Sequence, residues 1–273
     1  MLPSASVVST ANGDFLLFES ADAITQALRK HGTWEPITLM IAKGLVTIMG
    51  KRGTIIDGGA NVGAFTIPLA RTFADGCRVV AFEAQRRVYY QLCGSIVLNG
   101  LGNVVAHNLG LGAEPGRIPC PVPDYGNDPN IGALSLDESV RRIRREAGCG
   151  CLTDGEGVEV EPIDMVPLDA FGFDNVCLLK LDVEGMELAV LRGAEATLAR
   201  SGFPPLIFEL WDPAVMPAIA QPQQALLNHV TALGYEITTL GETAIAQHAT
   251  QRSVLQFTVE DGGHRIAARQ INR

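Results

Sequence analysis

The sequence predicts an α/β protein with a doubly wound, seven-stranded, mostly parallel sheet, and three observations carry that prediction. From residue 54 onward, short apolar runs alternate with amphipathic stretches, the pattern that βαβ units impose. The runs are apolar at consecutive positions, as in Ile55-Ile56 and Leu178-Leu179, which is expected where helices cover both faces of a sheet. A glycine-rich turn, Asp57-Gly58-Gly59-Ala60-Asn61-Val62-Gly63, follows directly on the first run and leads into a helical pattern.

In chain order, residues 1–52 read as an N-terminal helical cap. After the short apolar run Phe15-Leu16-Leu17-Phe18, a helix is expected over 21–31, stopped by Gly32, and a second over 36–49, with Pro36 suited to its first turn. The main domain is expected over 53–273. Strands fit 54–57, 78–83, 104–108, 176–182, 206–211, 235–240 and 254–259, and helices fit 64–73, 87–99, 187–200 and 223–233. Residues 112–167 break this rhythm with clustered Gly, Pro and Asp, and read as an insertion after the third strand. Material joining strands at their carboxyl ends lies over the ligand crevice of such a sheet, so the insertion is expected to lid the site.

Composition narrows the function classes. With 47% apolar and 19% charged residues the chain is far from the make-up of disordered proteins. A net charge of -9 gives no attraction to phosphate backbones, so no nucleic-acid partner is expected. The basic run Arg141, Arg142, Arg144 and Arg145, at helical spacing beside acids, reads as a solvated helix face. The six cysteines read as reduced thiols, and Cys149-Gly150-Cys151 lacks the second ligand pair that zinc needs. No basic start followed by an apolar stretch and no run of about 18 apolar residues appears, so the expectation is a cytoplasmic protein without a membrane span.

The glycine turn carries the chemistry. Gly59 and Gly63 lack a Cβ and let the backbone approach a ligand and the helix pack closely on its strand. Asp57 ends the first strand and suits a cationic ligand, whereas it would repel a pyrophosphate. Glu83 ends the next strand, where a carboxylate can accept both ribose hydroxyls of an adenosine. The glycines do not fall in the G-x-G-x-x-G register of dinucleotide enzymes, which disfavours an NAD-dependent oxidoreductase and favours S-adenosylmethionine.

Asp57-Gly58-Gly59-Ala60-Asn61-Val62-Gly63-Ala64-Phe65-Thr66, Phe82-Glu83, Leu98-Asn99-Gly100 and Leu179-Lys180-Leu181-Asp182-Val183-Glu184-Gly185-Met186-Glu187 together resemble the FkbM family of methyltransferases. His31-Gly32-Thr33-Trp34-Glu35-Pro36 resembles a segment often found ahead of that family's core, and the likeness runs from about Gly32 to Leu240 without the insertion. The resemblance implies a Rossmann-like class I methyltransferase fold, S-adenosylmethionine as donor, and O-methylation of a hydroxyl on a sugar, polyketide or other small metabolite. The sequence departs from the family at Gly58, commonly β-branched or small and apolar there, and at Ala84, often proline. The implied cofactor residues are Asp57, Gly58, Gly59, Ala60, Asn61, Gly63, Phe65, Glu83, Ala84, Gln85, Leu109, Gly110 and Asp182.

On the acceptor side, Lys180, Asp182 and Glu184 alternate at the end of the fourth strand, where unpaired charge is costly to bury. Methyl transfer to an alcohol requires alignment of the oxygen and acceptance of its proton, and Asp182 is the first candidate for that task. Glu184 and Glu209 are second candidates, and Lys180 either pairs with Asp182 or orients the substrate. Glu184 has an alternative reading as a cap on the helix that begins near Gly185. His107 reads as a packed residue, Trp34 as a joint between cap and core, and Trp211 as either pocket wall or packing. No metal is assigned, although paired carboxylates can hold a divalent ion. The expected partner is a hydroxylated small molecule, N-methylation remains the alternative on the same fold, and the cap helices are the expected surface of a possible homodimer.

Overall fold

The computed structural model of the chain describes residues 2–148, 158–260 and 265–273. Cys149 and Cys151 lie outside the described residues. The chain opens with a hairpin of β1 (Ala5–Thr10) and β2 (Gly13–Phe18), followed by α1 (Ala23–His31) and α2 (Pro36–Ile48). The first half of the main domain is β3 (Gly53–Gly58), α3 (Thr66–Thr72), β4 (Cys77–Phe82), α4 (Arg86–Leu98) and β5 (Val104–His107). Three short strands, β6 (Gly110–Leu111), β7 (Gly116–Pro121) and β8 (Val160–Val166), form a small separate sheet, with α5 (Glu138–Glu146) between the last two. The second half is β9 (Val176–Leu181), α6 (Glu187–Arg192), α7 (Glu195–Arg200), β10 (Leu206–Glu209), α8 (Ala220–Ala232), β11 (Tyr235–Leu240) and β12 (Thr243–His248). A last hairpin pairs β13 (Ser253–Glu260) with β14 (Arg265–Asn272).

The central sheet has the predicted seven strands, in the order β11-β12-β10-β9-β3-β4-β5. Its pairings are parallel except at β12, which runs against both β10 and β11. The consecutive apolar residues divide between two cores, as the period of two requires. Ile56, Val80, Leu179 and Phe208 face one core with α6, α7 and α8, while Ile55, Val79, Leu178 and Ile207 face the other with α2 and α3. Because α2 buries Leu39, Ile41 and Leu45 in that second core, the segment before residue 53 is built into the domain.

Four expectations are corrected. The N-terminal cap is not purely helical, since β1 and β2 precede its helices. The edge of β2 is satisfied by a helix: the backbone N–H groups of Asp14, Leu16 and Phe18 donate to the side chains of Asn99, Ser95 and Gln91, spaced four apart along α4 and its cap. The seventh sheet position belongs to β12, whereas the segment 254–259 pairs with β14 outside the sheet. The helix expected over 187–200 breaks at Gly193 and Ala194, where the Gly193 carbonyl accepts from the Asp169 N–H and a Cβ on Gly193 would meet the Gly112 carbonyl oxygen at 2.2 Å. The arginine run is not all solvated, because Arg144 is buried and turned inward. Among the described residues no helix is long and apolar enough to cross a membrane.

Candidate active site

The strand order reverses between β3 and β9, and the carboxyl ends of strands on either side of that point frame one cleft of about 370 Å³. Gly59, Asn61, Glu83, Ala84, Gln85, Leu109, Gly110, Asp182, Glu184 and Glu209 line it, among the residues expected from sequence. Ala60, Phe65 and Lys180 instead wall a small cavity beneath, together with Gly59 and Asp182.

Asp57, Gly58 and Gly63, also expected at the cofactor, line neither space. Asp57 is fully buried, accepts the Thr66 hydroxyl at 2.6 Å, and turns its other oxygen to Lys180 at 3.4 Å. Gly59 has φ +76°, and a Cβ there would lie 1.8 Å from the Asp182 carbonyl oxygen, so its glycine identity brings the turn against the neighbouring strand end. At Gly58, where the family often has a larger residue, Leu181 and Leu111 already fill the space.

Glu83 ties the glycine turn down. One of its oxygens accepts from the Asn61 N–H and the other from the Gln85 N–H, both at 2.8 Å. Burial pushes its carboxyl up to about 7, against the pull of those two amides. Gln85 is fixed in turn by the insertion, donating to the Ile131 carbonyl and accepting the Tyr125 hydroxyl. The insertion is also anchored to the N-terminal segment, since the α1 cap residue Asp22 accepts from both Thr25 and Ile131 N–H groups. From the insertion, Asn130, Gly132, Leu134 and Leu136 line the cleft.

At the other end, Lys180 is buried among acids. Its ammonium lies 3.2 Å from Asp182, 3.4 Å from Asp57 and 5.5 Å from the centre of the Phe65 ring. Burial works to lower its proton affinity, but Asp182, Asp57 and Glu35 outweigh that and hold it above the ordinary lysine range. One carboxylate oxygen from each of Asp182, Glu184 and Glu209 lies within 4.8 Å of the others. Glu184, at φ +54°, pairs with Arg144 of α5, whose guanidinium sits 4.7 Å above the Trp211 ring. Burial pushes Glu184 up to about 8, against the pull of Arg144. Glu209 is pushed well above the carboxylate range, first by burial and then by Glu184 and Asp182, and its Oε2 is buried without a hydrogen-bond partner. Acids near one another in a dry site resist ionising together.

The residues 57–219 match the sequence model of the Methyltransferase FkbM domain, over more than half of the chain. The chain belongs to this family. Methyltransferase sdnD of Sordaria araneosa is 29% identical over 205 residues, covering 67% of this chain and 74% of the relative. Methyltransferase 1 of Beauveria bassiana (strain ARSEF 2860) is 27% identical over 151 residues, covering 52% and 58%. The crystal structure of Methyltransferase FkbM from Methylobacillus flagellatus KT is 18% identical, with a TM-score of 0.46, covering 72% of this chain and 43% of that one. The chain thus spans less than two thirds of the second relative and of that crystal structure.

Within the FkbM match lie Glu83, Arg144, Lys180, Asp182, Glu184 and Glu209. Five cleft residues, Ala23, Ile24, Trp34, Glu35 and Glu242, come from outside it. Sequence reasoning passed over Glu35 and Arg144. Glu35 stands at φ +44° ahead of α2, and burial raises its carboxyl while Lys180 lowers it. Strain offers a signal only in hindsight: among the described residues five non-glycines have positive φ, and three of them, Glu35, Asn61 and Glu184, line this cleft. Trp34 and Trp211 both line the cleft, whereas His107, stacked on Phe82 and tilted against Phe171, does not.

Proposed function

We propose that this FkbM-family chain is an S-adenosylmethionine-dependent methyltransferase that methylates a hydroxyl on a small metabolite, sugar or natural-product intermediate. The observation that carries this reading is the continuity of one cleft from Glu83 to the Asp182, Glu184 and Glu209 cluster. Glu83, the proposed holder of the adenosine, and Asp182, the proposed proton acceptor, line that one cleft.

The residues present fit the cofactor. Each Glu83 oxygen accepts one amide and keeps a lone pair for a ribose hydroxyl. Leu109, Leu111 and Leu134 give the apolar wall that suits an adenine ring. The surplus of carboxylates beyond Lys180 and Arg144 suits a cationic donor. When bound, S-adenosylmethionine supplies a methyl group on a positively charged sulfur.

Asp182, oriented by Lys180 and half-exposed to the cleft, accepts the hydroxyl proton. Glu209, whose carboxyl burial pushes well above the ordinary carboxylate range, holds the acceptor oxygen through a hydrogen bond. Glu184, locked to Arg144, anchors the lid and keeps water out of this end. Methyl-labelled S-adenosylmethionine offered with a panel of hydroxylated acceptors, their deoxy counterparts and amines tests the assignment. Label is expected on oxygen and absent from the deoxy compounds. Label on amines alone moves the reading to N-methylation, and hydride transfer with NAD instead of label transfer overturns it.

A further inference from the structure

A second cavity of about 290 Å³ adjoins the cleft beneath α5. Met186, Glu209 and Trp211 wall both spaces, so the two meet at the acceptor end, away from Glu83. The apolar part of the remaining wall is Val140 and Ile143 from the lid helix, Leu188 from α6, and Ile219 and Leu226 from α8 and the turn before it. Val140 is held down on the strand end, since a Cβ on Gly185 would meet both it and Trp211 at 3.0 Å.

Three polar groups set into this wall are engaged within the protein, and Arg192, also in the lining, is exposed. Glu187 accepts from the Val183 and Gly185 N–H groups, Gln223 accepts from the Trp211 N–H at 2.8 Å, and Asp137 caps α5 by accepting from Ser139. Water inside would find few of the two to four partners that hold a buried water, which leaves the space to apolar matter. Glu209 stands apart, its unpartnered Oε2 at the boundary with the acidic cleft.

We propose that this cavity is the binding site for the body of the acceptor, so that the substrate is amphipathic: an apolar portion under α5 and the hydroxyl presented past Glu209 to Asp182. At the close-packed density of protein interiors the space takes roughly 15 non-hydrogen atoms, the size of a fused-ring or medium-chain hydrocarbon unit. A free monosaccharide or another fully polar acceptor would fill the cleft and leave this wall bare. The assignment rests on the methyltransferase reading for the hydroxyl, but the cavity's preference for apolar ligands stands separately.

The test uses N-phenyl-1-naphthylamine, a neutral fluorophore of about this size that brightens in apolar surroundings. Wild type is expected to bind one molecule saturably at micromolar concentration, with displacement by decan-1-ol and none by glucose. Ile143→Trp and Ala189→Phe, which fill the cavity from α5 and from α6, are expected to weaken the probe at least tenfold while S-adenosylhomocysteine binds as in wild type. Absence of saturable probe binding in wild type, an affinity unchanged in both variants, or displacement by glucose rather than decan-1-ol would overturn the proposal. Failure of S-adenosylhomocysteine to bind wild type that still binds the probe would instead sink the methyltransferase reading and leave the apolar site standing.

Discussion

Asp182 is the residue on which two demands converge. Its backbone N–H donates to the Gly58 carbonyl and its own carbonyl abuts Gly59, so the strand end and the glycine turn are fixed against each other. Its side chain then reaches Lys180 on one side and the acid cluster on the other. Asp182→Asn keeps the shape and removes the proton acceptor. Turnover is expected to fall about 10²- to 10⁴-fold, the usual contribution of a general base, with S-adenosylhomocysteine affinity within about threefold of wild type. Initial rates and calorimetry on the same preparation check it, and unchanged turnover removes Asp182 from the chemistry. Asp182 and Glu83 were legible in the sequence because both stand at strand ends beside a glycine turn. Arg144 was not, because a periodic basic run does not say which arginine turns inward. That choice is made by Glu184 and Trp211, 40 and 67 residues away in the chain.

Among the elements, the sheet was legible wherever both faces are buried, since continuous apolar runs mark β3, β4, β9 and β10. It was misread at the antiparallel position. The residues of β12 include two alanines and no large run, while the segment 254–259 carries the stronger strand composition yet pairs only within its own hairpin. Burial of Ala244, Ile245 and Ala246 between two cores decides the matter, and that is a tertiary fact. The N-terminal hairpin was hidden for a related reason, because its edge is satisfied by side chains of α4 and not by another strand. Gln91 accepts the buried Phe18 N–H at 2.7 Å, and Gln91→Leu leaves that donor without a partner. The expected loss is about 1–3 kcal/mol of stability, read from the shift in urea midpoint. A loss below the measurement error would mean that the hairpin does not depend on this contact.

Over the whole molecule, net charge -9 coexists with a cleft that concentrates buried acids. Burial raises Glu83 and Glu187 from the ordinary 4.5 to about 7, and Glu184 to about 8. The native state therefore binds more protons than the unfolded chain between about pH 4.5 and 8. Stability contributed by these groups is present below the unfolded value and is lost as pH rises through 7 to 8. The ligand-free protein is accordingly expected to melt at a higher temperature at pH 5.5 than at pH 8, by differential scanning calorimetry. A melting temperature that rises across that interval would show that these carboxyls are not held neutral by the fold.

The central claim is that the cleft holds the adenosine of S-adenosylmethionine against Glu83. It is tested most directly by calorimetric titration of S-adenosylhomocysteine, and separately of NAD, into wild type and Glu83→Ala. The account predicts saturable binding of S-adenosylhomocysteine to wild type, weakened at least about tenfold by the substitution as the hydrogen bonds to the ribose are lost, and no binding of NAD. Binding of NAD alone, or S-adenosylhomocysteine affinity indifferent to Glu83, would contradict it.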